Sequence, residues 1–291
     1  MKKLICMMLA CWMAVFLAAC GGGDGELLLP DSSGSVGGSQ NAQQATVAPA
    51  VILEQKDLKI QVKELDTDSL FGTELKLLIE NNSDKNLTVQ CRNVSVNGYM
   101  VETMFSADVA AGKKANDAIT FLSADLERSG ITQIADLEFS FHVFTTEDWD
   151  AYLDSEQIQV KTSLADTFSY TYDHTGTPVY EGDDIKVIAK GLSEKDSILG
   201  PELQVYIYNG GSKSVTVQTR ETSINGFMVE TLFSQEVLPG KHAVAGITFL
   251  NSDLEENGIE KIEQLEFSFH IFNTETWKTI KDTDPVKLSF Q

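Results

Sequence analysis

The chain has 291 residues, with 43 acidic against 22 basic side chains and a formal net charge of −21. An acidic excess of that size repels the phosphates of nucleic acids and anionic lipid headgroups, so nucleic acid is not expected as a partner. Only four cysteines are present, and Cys6, Cys11 and Cys20 crowd into the first twenty residues, which leaves Cys91 alone and excludes a disulfide within the folded part.

Residues 1–19 have the layout of an export signal. Lys2 and Lys3 give a positive start, Leu4 to Phe16 an apolar stretch, and Leu17-Ala18-Ala19-Cys20 a small-residue cleavage site ending on cysteine. The apolar run is shorter than the roughly 20 residues a spanning helix needs. The ending resembles the lipobox of bacterial lipoproteins. That resemblance implies cleavage before Cys20, a diacylglycerol thioether on its sulfur, and attachment to the extracellular face of the cell membrane through acyl chains such as palmitate.

After Cys20 the composition turns to Gly, Ser, Gln, Asn and Ala, with no aromatic residue up to about Ala50. Such a segment cannot bury enough apolar surface to fold, so residues 20–50 are expected to form the lipidated cysteine and a flexible linker. Thirty such residues reach roughly 30 Å. The island Leu27-Leu28-Leu29 lies within it.

The rest of the chain says the same thing twice. Asn97-Gly98-Tyr99-Met100-Val101-Glu102-Thr103-Met104-Phe105-Ser106 returns as Asn225-Gly226-Phe227-Met228-Val229-Glu230-Thr231-Leu232-Phe233-Ser234, and the register holds without a gap from about Asp66 to Trp149. The duplication predicts repeat 1 over residues 51–164, a connector over 165–177 and repeat 2 over 178–291. The connector carries Phe168, Tyr170 and Tyr172, too aromatic for a free linker, so it is expected to pair as an edge strand or to pack between the repeats.

Within each repeat the apolar period is two, the mark of strands with one buried and one wet face. Leu75, Leu77 and Ile79 share a face, as do Leu203, Val205 and Ile207, which leaves Leu78 and Tyr206 pointing outward. Leu137, Phe139, Phe141 and Val143 alternate with polar residues, and Leu265, Phe267, Phe269 and Ile271 repeat them. Asn97-Gly98 and Asn225-Gly226 suit type I′ hairpin turns. Ser123-Ala124-Asp125-Leu126-Glu127 and Asn251-Ser252-Asp253-Leu254-Glu255 predict a short helix with N-cap residues and acids in its first turn, ended by Gly130 or Gly258. The reading is an all-β protein of two tandem immunoglobulin-like β-sandwich domains, each with one short crossover helix, and with Phe105, Phe121, Phe139 and Phe141 and their counterparts in the cores.

The run from Glu74 to Val89, with Asn81-Asn82-Ser83-Asp84 between its two strands, is similar to the opening of the immunoglobulin-like, telokin-like domains of Gram-positive surface lipoproteins. The resemblance implies that fold and an extracellular location. It carries over no catalytic residues, and the second copy departs from it at Gly210-Gly211.

No reaction is legible. There is no Gly-x-Ser-x-Gly elbow, no phosphate loop and no Cys-His signature, so neither enzyme nor cofactor is expected. His142 and His270 are shared, one per copy and too few for a zinc site, so no metal is assigned and both are read as partly exposed strand residues. His174 and His242 have no counterpart. The shared acids Glu102 and Glu230, Asp125 and Asp253, Glu127 and Glu255, and Glu138 and Glu266 show no spacing that pairs them across a cleft. Asp66-Thr67-Asp68, Asp282-Thr283-Asp284 and Glu181-Gly182-Asp183-Asp184 are acidic loops without EF-hand spacing. Trp149 and Trp277 are the shared binding candidates: each follows the Phe-rich strand, either stacking on a sugar or anchoring a protein, or folding back to close the sandwich end, the reading preferred here. The expected function is non-catalytic binding of a protein or envelope glycan by a lipid-anchored surface protein. The alternatives are a carbohydrate-capturing or carbohydrate-hydrolysing lipoprotein, or a passive spacer.

Overall fold

The computed structural model describes residues 44–193 and 199–290. The expected export signal, the expected lipidation site Cys20 and most of the expected linker lie outside the described residues. No helix of the described residues is long and apolar enough to cross a membrane.

The described chain is all-β apart from two short helices. In the first copy, β1 (Ala50–Gln55), β2 (Leu58–Asp66) and β3 (Gly72–Asn81) precede β4 (Leu87–Val96), β5 (Tyr99–Met100), β6 (Thr103–Met104), β7 (Ser106–Val109), β8 (Lys114–Leu122), α1 (Ser123–Arg128), β9 (Asp136–Thr145), β10 (Ala151–Asp154) and β11 (Ile158–Lys161). The same order returns as β12 (Thr177–Gly182), β13 (Ile185–Ser193), β14 (Glu202–Asn209), β15 (Val215–Ile224), β16 (Phe227–Met228), β17 (Thr231–Leu232), β18 (Ser234–Val237), β19 (His242–Phe249), α2 (Asn251–Glu256), β20 (Gln264–Asn273), β21 (Thr279–Asp282) and β22 (Val286–Ser289).

The alternation read from the sequence sets the inner faces. Leu75, Leu77, Ile79, Phe121 and Phe139 of the first copy are wholly buried, and Leu203, Val205, Ile207 and Phe249 match them. Phe105 and Phe233 are only half-buried. Both Asn-Gly pairs have positive φ at both residues, 50° and 82° in the first copy, as a type I′ turn requires. The asparagine does more than turn. Asn97 donates from Nδ2 to Gln133 O at 2.7 Å and accepts on Oδ1 from the amides of Ala135 and Asp136. Asn225 repeats this clamp on Lys261, Glu263 and Gln264.

The helices begin differently from the expectation. Leu122 and Leu250 occupy the N-cap positions and no side chain caps either helix. The Asp125 carboxylate reaches away to accept from the Glu102 amide at 2.8 Å, and Asp253 does the same for Glu230 at 2.7 Å. These acids tie each helix to the β5–β6 or β16–β17 corner. The C-terminal ends follow the expectation, with Gly130 and Gly258 at φ 67° and 65°. Gly130 donates to Glu127 O and Ile131 to Leu126 O, the paired bonds of a Schellman motif, with Leu126 and Ile131 both buried.

Three sheets form among the described residues. The first has the order β1-β2-β3-β8-β6, and the third has β16-β15-β20-β21 with β18 and β22 beside it. The middle sheet runs through both copies, in the order β10-β9-β4-β5-β19-β14-β13-β12. The join is a parallel pairing of Tyr99 with His242, where the His242 amide donates to Gly98 O at 2.9 Å.

That join corrects the expectation of one wet face on every strand. Tyr206, read as outward, is fully buried, and Ile188 and Val244 join it in the core of the first copy. The Tyr172 ring stacks on His242 with centroids 3.6 Å apart, and Tyr208 stacks on His242 at 4.7 Å. Tyr99, 1% exposed, lies edge-on to Tyr170 at 5.4 Å and tilted to Tyr172 at 5.1 Å. The connector therefore packs into the join and, up to Gly176, forms no strand; Thr177 begins β12. Lys241 and Glu138 pair across it at 2.5 Å, and Arg128 reaches Glu202 at 3.5 Å.

The packed body reaches further toward the N-terminus than expected. Ala45 is buried against Ala135 and Leu164, and Thr46 exchanges two hydrogen bonds with Ser163. A side chain as small as alanine fits between these neighbours, so the packed body begins before Ala50.

Candidate functional site

The two shared tryptophans stand in matching positions at the end of the Phe-rich strands. After β9, the Trp149 amide donates back to Thr145 O at 2.9 Å, and after β20 the Trp277 amide donates to Asn273 O at 2.9 Å. Both residues adopt left-handed backbone, φ 60° and 59°. A bulky residue at positive φ costs of order 1–3 kcal/mol, and such strain gathers at functional sites.

That conformation lays each indole flat over the outer face of its strand. Trp149 stacks on Phe144 with centroids 5.2 Å apart and planes 12° apart, and Trp277 stacks on Phe272 at 5.4 Å and 15°. The indoles do not close the sandwich end, contrary to the preferred expectation. They are 73% and 76% exposed, while the phenyl rings beneath them are buried. Each is an open aromatic surface on a fixed support.

A histidine–aspartate pair borders each platform. His142 Nδ1 lies 2.5 Å from Asp154 Oδ1, and His270 Nδ1 lies 2.5 Å from Asp282 Oδ1. The imidazoles also flank Phe144 and Phe272, at 5.5 and 5.2 Å. His270, read from the sequence as partly exposed, is buried, because Asp282 and Phe272 cover it. The Asp282 carboxyl is held below the usual carboxylate range, mainly by its hydrogen bond to His270. Sequence reasoning missed Asp154, Asp282, Phe144 and Phe272 as neighbours of the shared tryptophans and histidines, although all four fall at equivalent positions in the two copies.

The other sequence candidates are engaged elsewhere. Glu138 pairs with Lys241, and Glu266 with Lys287 at 3.0 Å. Asp66 pairs with Lys76 at 2.7 Å and accepts from the Asp68 amide, while Asp183 accepts from the Tyr180 hydroxyl. Among the described residues no group of three or more His, Cys, Asp or Glu side chains is arranged to hold a metal ion. Cys91 is half-buried on β4, and burial pushes its thiol up to about 12. A thiol so far above neutrality is a poor nucleophile.

A cleft of about 300 Å³ lies where the copies meet, lined by Cys91, Arg92, Glu102, Asp125 and Arg128 of the first copy and Gln235 and Glu236 of the second. Partial burial and the Asp125 carboxylate raise Glu102 above the usual range, and burial raises Glu236. Asp125 is already spent on the Glu102 amide and on Arg128 at 3.0 Å.

No model of a known protein family matches this chain, and no curated protein matches it either. Among solved structures, the YadV chaperone aligns at 12% identity with a TM-score of 0.25, over 80% of this chain and 100% of that one. The Salmonella enterica SafA pilin in complex with the SafB chaperone aligns at 11% identity and a TM-score of 0.20, over 75% of this chain and 89% of that one. A protein of unknown function from Porphyromonas gingivalis W83 aligns at 12% identity and a TM-score of 0.20, over 81% and 100%. Likeness at that level carries no argument about activity.

Proposed function

We propose that this chain is a non-catalytic binding protein of the bacterial cell envelope, anchored to the outer face of the cell membrane by a lipid on Cys20. Its two copies act as tandem immunoglobulin-like β-sandwich domains. The observation that carries the binding role is the pair of exposed indoles, each held in left-handed backbone and stacked on a buried phenyl ring. A flat, preorganised, apolar surface, flanked in the chain by the exposed Asp148 and Asp150 or by the exposed Thr276 and Lys278, suits the apolar face of a sugar ring, so the ligand class is an envelope glycan. A large aromatic side chain at a binding centre is commonly worth about 2 kcal/mol, roughly a thirtyfold change in affinity.

The test is isothermal titration calorimetry of residues 44–291 with soluble cell-wall glycan fragments, a readout that does not depend on the tryptophans being replaced. Trp149→Ala and Trp277→Ala should each weaken binding by roughly that factor, and the double variant should abolish it. Affinity unchanged in the double variant would refute the platforms as the binding site. Export and lipidation are tested separately, by metabolic acyl labelling of the full chain and of Cys20→Ala. Equal label in both would refute the anchor.

A further inference from the structure

The two copies offer the same hairpin tip, and only one of the tips is covered. In the first copy the Gly98 carbonyl accepts from His242, Tyr99 is 1% exposed, and a Cβ placed on Gly98 would lie 2.4 Å from the Tyr172 hydroxyl. In the second copy the turn and its asparagine clamp are the same, yet Phe227 is 48% and Met228 66% exposed, and a Cβ on Gly226 would meet nothing. Met104 and Leu232, equivalent residues on the next short strands, are both 50% exposed, so the difference is confined to the tip.

The first tip is covered by the His242 end of β19, beyond the stretch that pairs with β17. Its backbone extends the sheet, Tyr206, Tyr208, His242 and Val244 form an aromatic and apolar seat, and the connector rings Tyr170 and Tyr172 lie over Tyr99 and Gly98. We infer that the Phe227–Met228 tip is a docking surface for a sheet edge of the same chemistry, carried by a different protein. β-Strand addition supplies backbone hydrogen bonds for affinity and side-chain pockets for specificity.

A second copy of this chain is a poor occupant. The equivalents of Tyr206, Tyr208, His242 and Val244 in the first copy are Leu78, Glu80, Lys114 and Asn116, and Lys114 pairs with Glu80 at 2.8 Å. The ion pair of Arg128 with Glu202 would be replaced by Glu256 facing Glu74, a like-charge contact. A lysine on an open sheet edge also discourages strand pairing.

The test uses the chain itself as probe. Tyr99→Asp and Met100→Asp together with Tyr172→Ala free the His242 seat of the first tip and of the connector ring stacked on it, and the Phe227–Met228 tip of another molecule should then occupy it. Sedimentation velocity should show a concentration-dependent shift from monomer to dimer and longer species, abolished by adding Phe227→Asp and Met228→Asp. Should the released chain not fold, the reverse build decides: Leu78→Tyr, Glu80→Tyr, Lys114→His, Asn116→Val and Glu74→Gln install the seat on the first copy, with the same shift and the same block expected. A folded released or grafted chain that stays monomeric overturns the proposal. Parent chain that associates through Phe227 overturns the assignment to a different protein and makes the occupant a second copy.

Discussion

His242 should make stability fall as the solution is acidified below neutrality. Its ring is 7% exposed, stacked on Tyr172, with Nδ1 2.6 Å from the Tyr206 hydroxyl. Burial, followed by the nearby His174 and Lys241, pulls its pKa down to about 4 from the ordinary 6.5. The unfolded chain therefore takes up the proton first as pH falls. Above about 6.5 both states are neutral and the group contributes nothing to the pH dependence. Between 6.5 and 4 the unfolded state gains the proton alone, so stability drops, and below 4 both states carry it. At about 1.4 kcal/mol per pKa unit the loss is about 3 kcal/mol. Other groups titrate in the same window, and the raised carboxyls of Glu102 and Glu236 act in the opposite sense because the folded state holds their protons more tightly. The measurement is therefore a difference: urea unfolding of the parent and of His242→Gln, which keeps a hydrogen-bonding partner for Tyr206 but cannot ionise, at intervals from about pH 7 to pH 4. The stability advantage of the parent over the variant should shrink by about 3 kcal/mol across that range. A difference that does not change with pH would refute the account of the buried imidazole.

Three further outcomes follow from single residues. Asn97→Ala removes three hydrogen bonds and leaves a non-glycine residue at φ 50°, so it should cost about 3 kcal/mol in urea unfolding, and a loss under 1 kcal/mol would count against the clamp. Phe139→Ala, at a wholly buried position, should cost about 3–5 kcal/mol, while Phe105→Ala at its half-buried site should cost clearly less; equal losses would contradict the packing described. Cys91 should resist a disulfide thiol reagent in the native protein at mildly alkaline pH and react at once in urea, since burial keeps the thiol protonated; equal rates would place the sulfur in water.

The strands were legible because each has one face in a core, and Leu75, Leu77 and Ile79 advertise that face by alternation alone. The turns were legible because Asn-Gly meets a backbone demand that few other pairs meet. Tyr206 and His242 were not, since an outward position becomes buried only when another sheet edge arrives, and no local pattern encodes that arrival. The difference between Leu78 and Tyr206 did hold the clue: two copies that share a core diverge where one of them meets something the other does not. The tryptophans were found by their duplication, but their exposure depends on a left-handed backbone at φ 60° and 59°, which residue type does not announce.

The sheet that passes through Tyr99 and His242 also bears on valency. Two sites on a loose tether meet a ligand with an effective concentration set by the linker, and tolerate many spacings. Here the connector is packed and the strands are joined, so the separation of the Trp149 and Trp277 platforms is a property of the folded body. Under the proposed glycan-binding role such a pair would work as a gauge: a polymer whose repeat matches the spacing would engage both platforms and gain avidity, and one whose repeat does not match would be held by a single ring at a time.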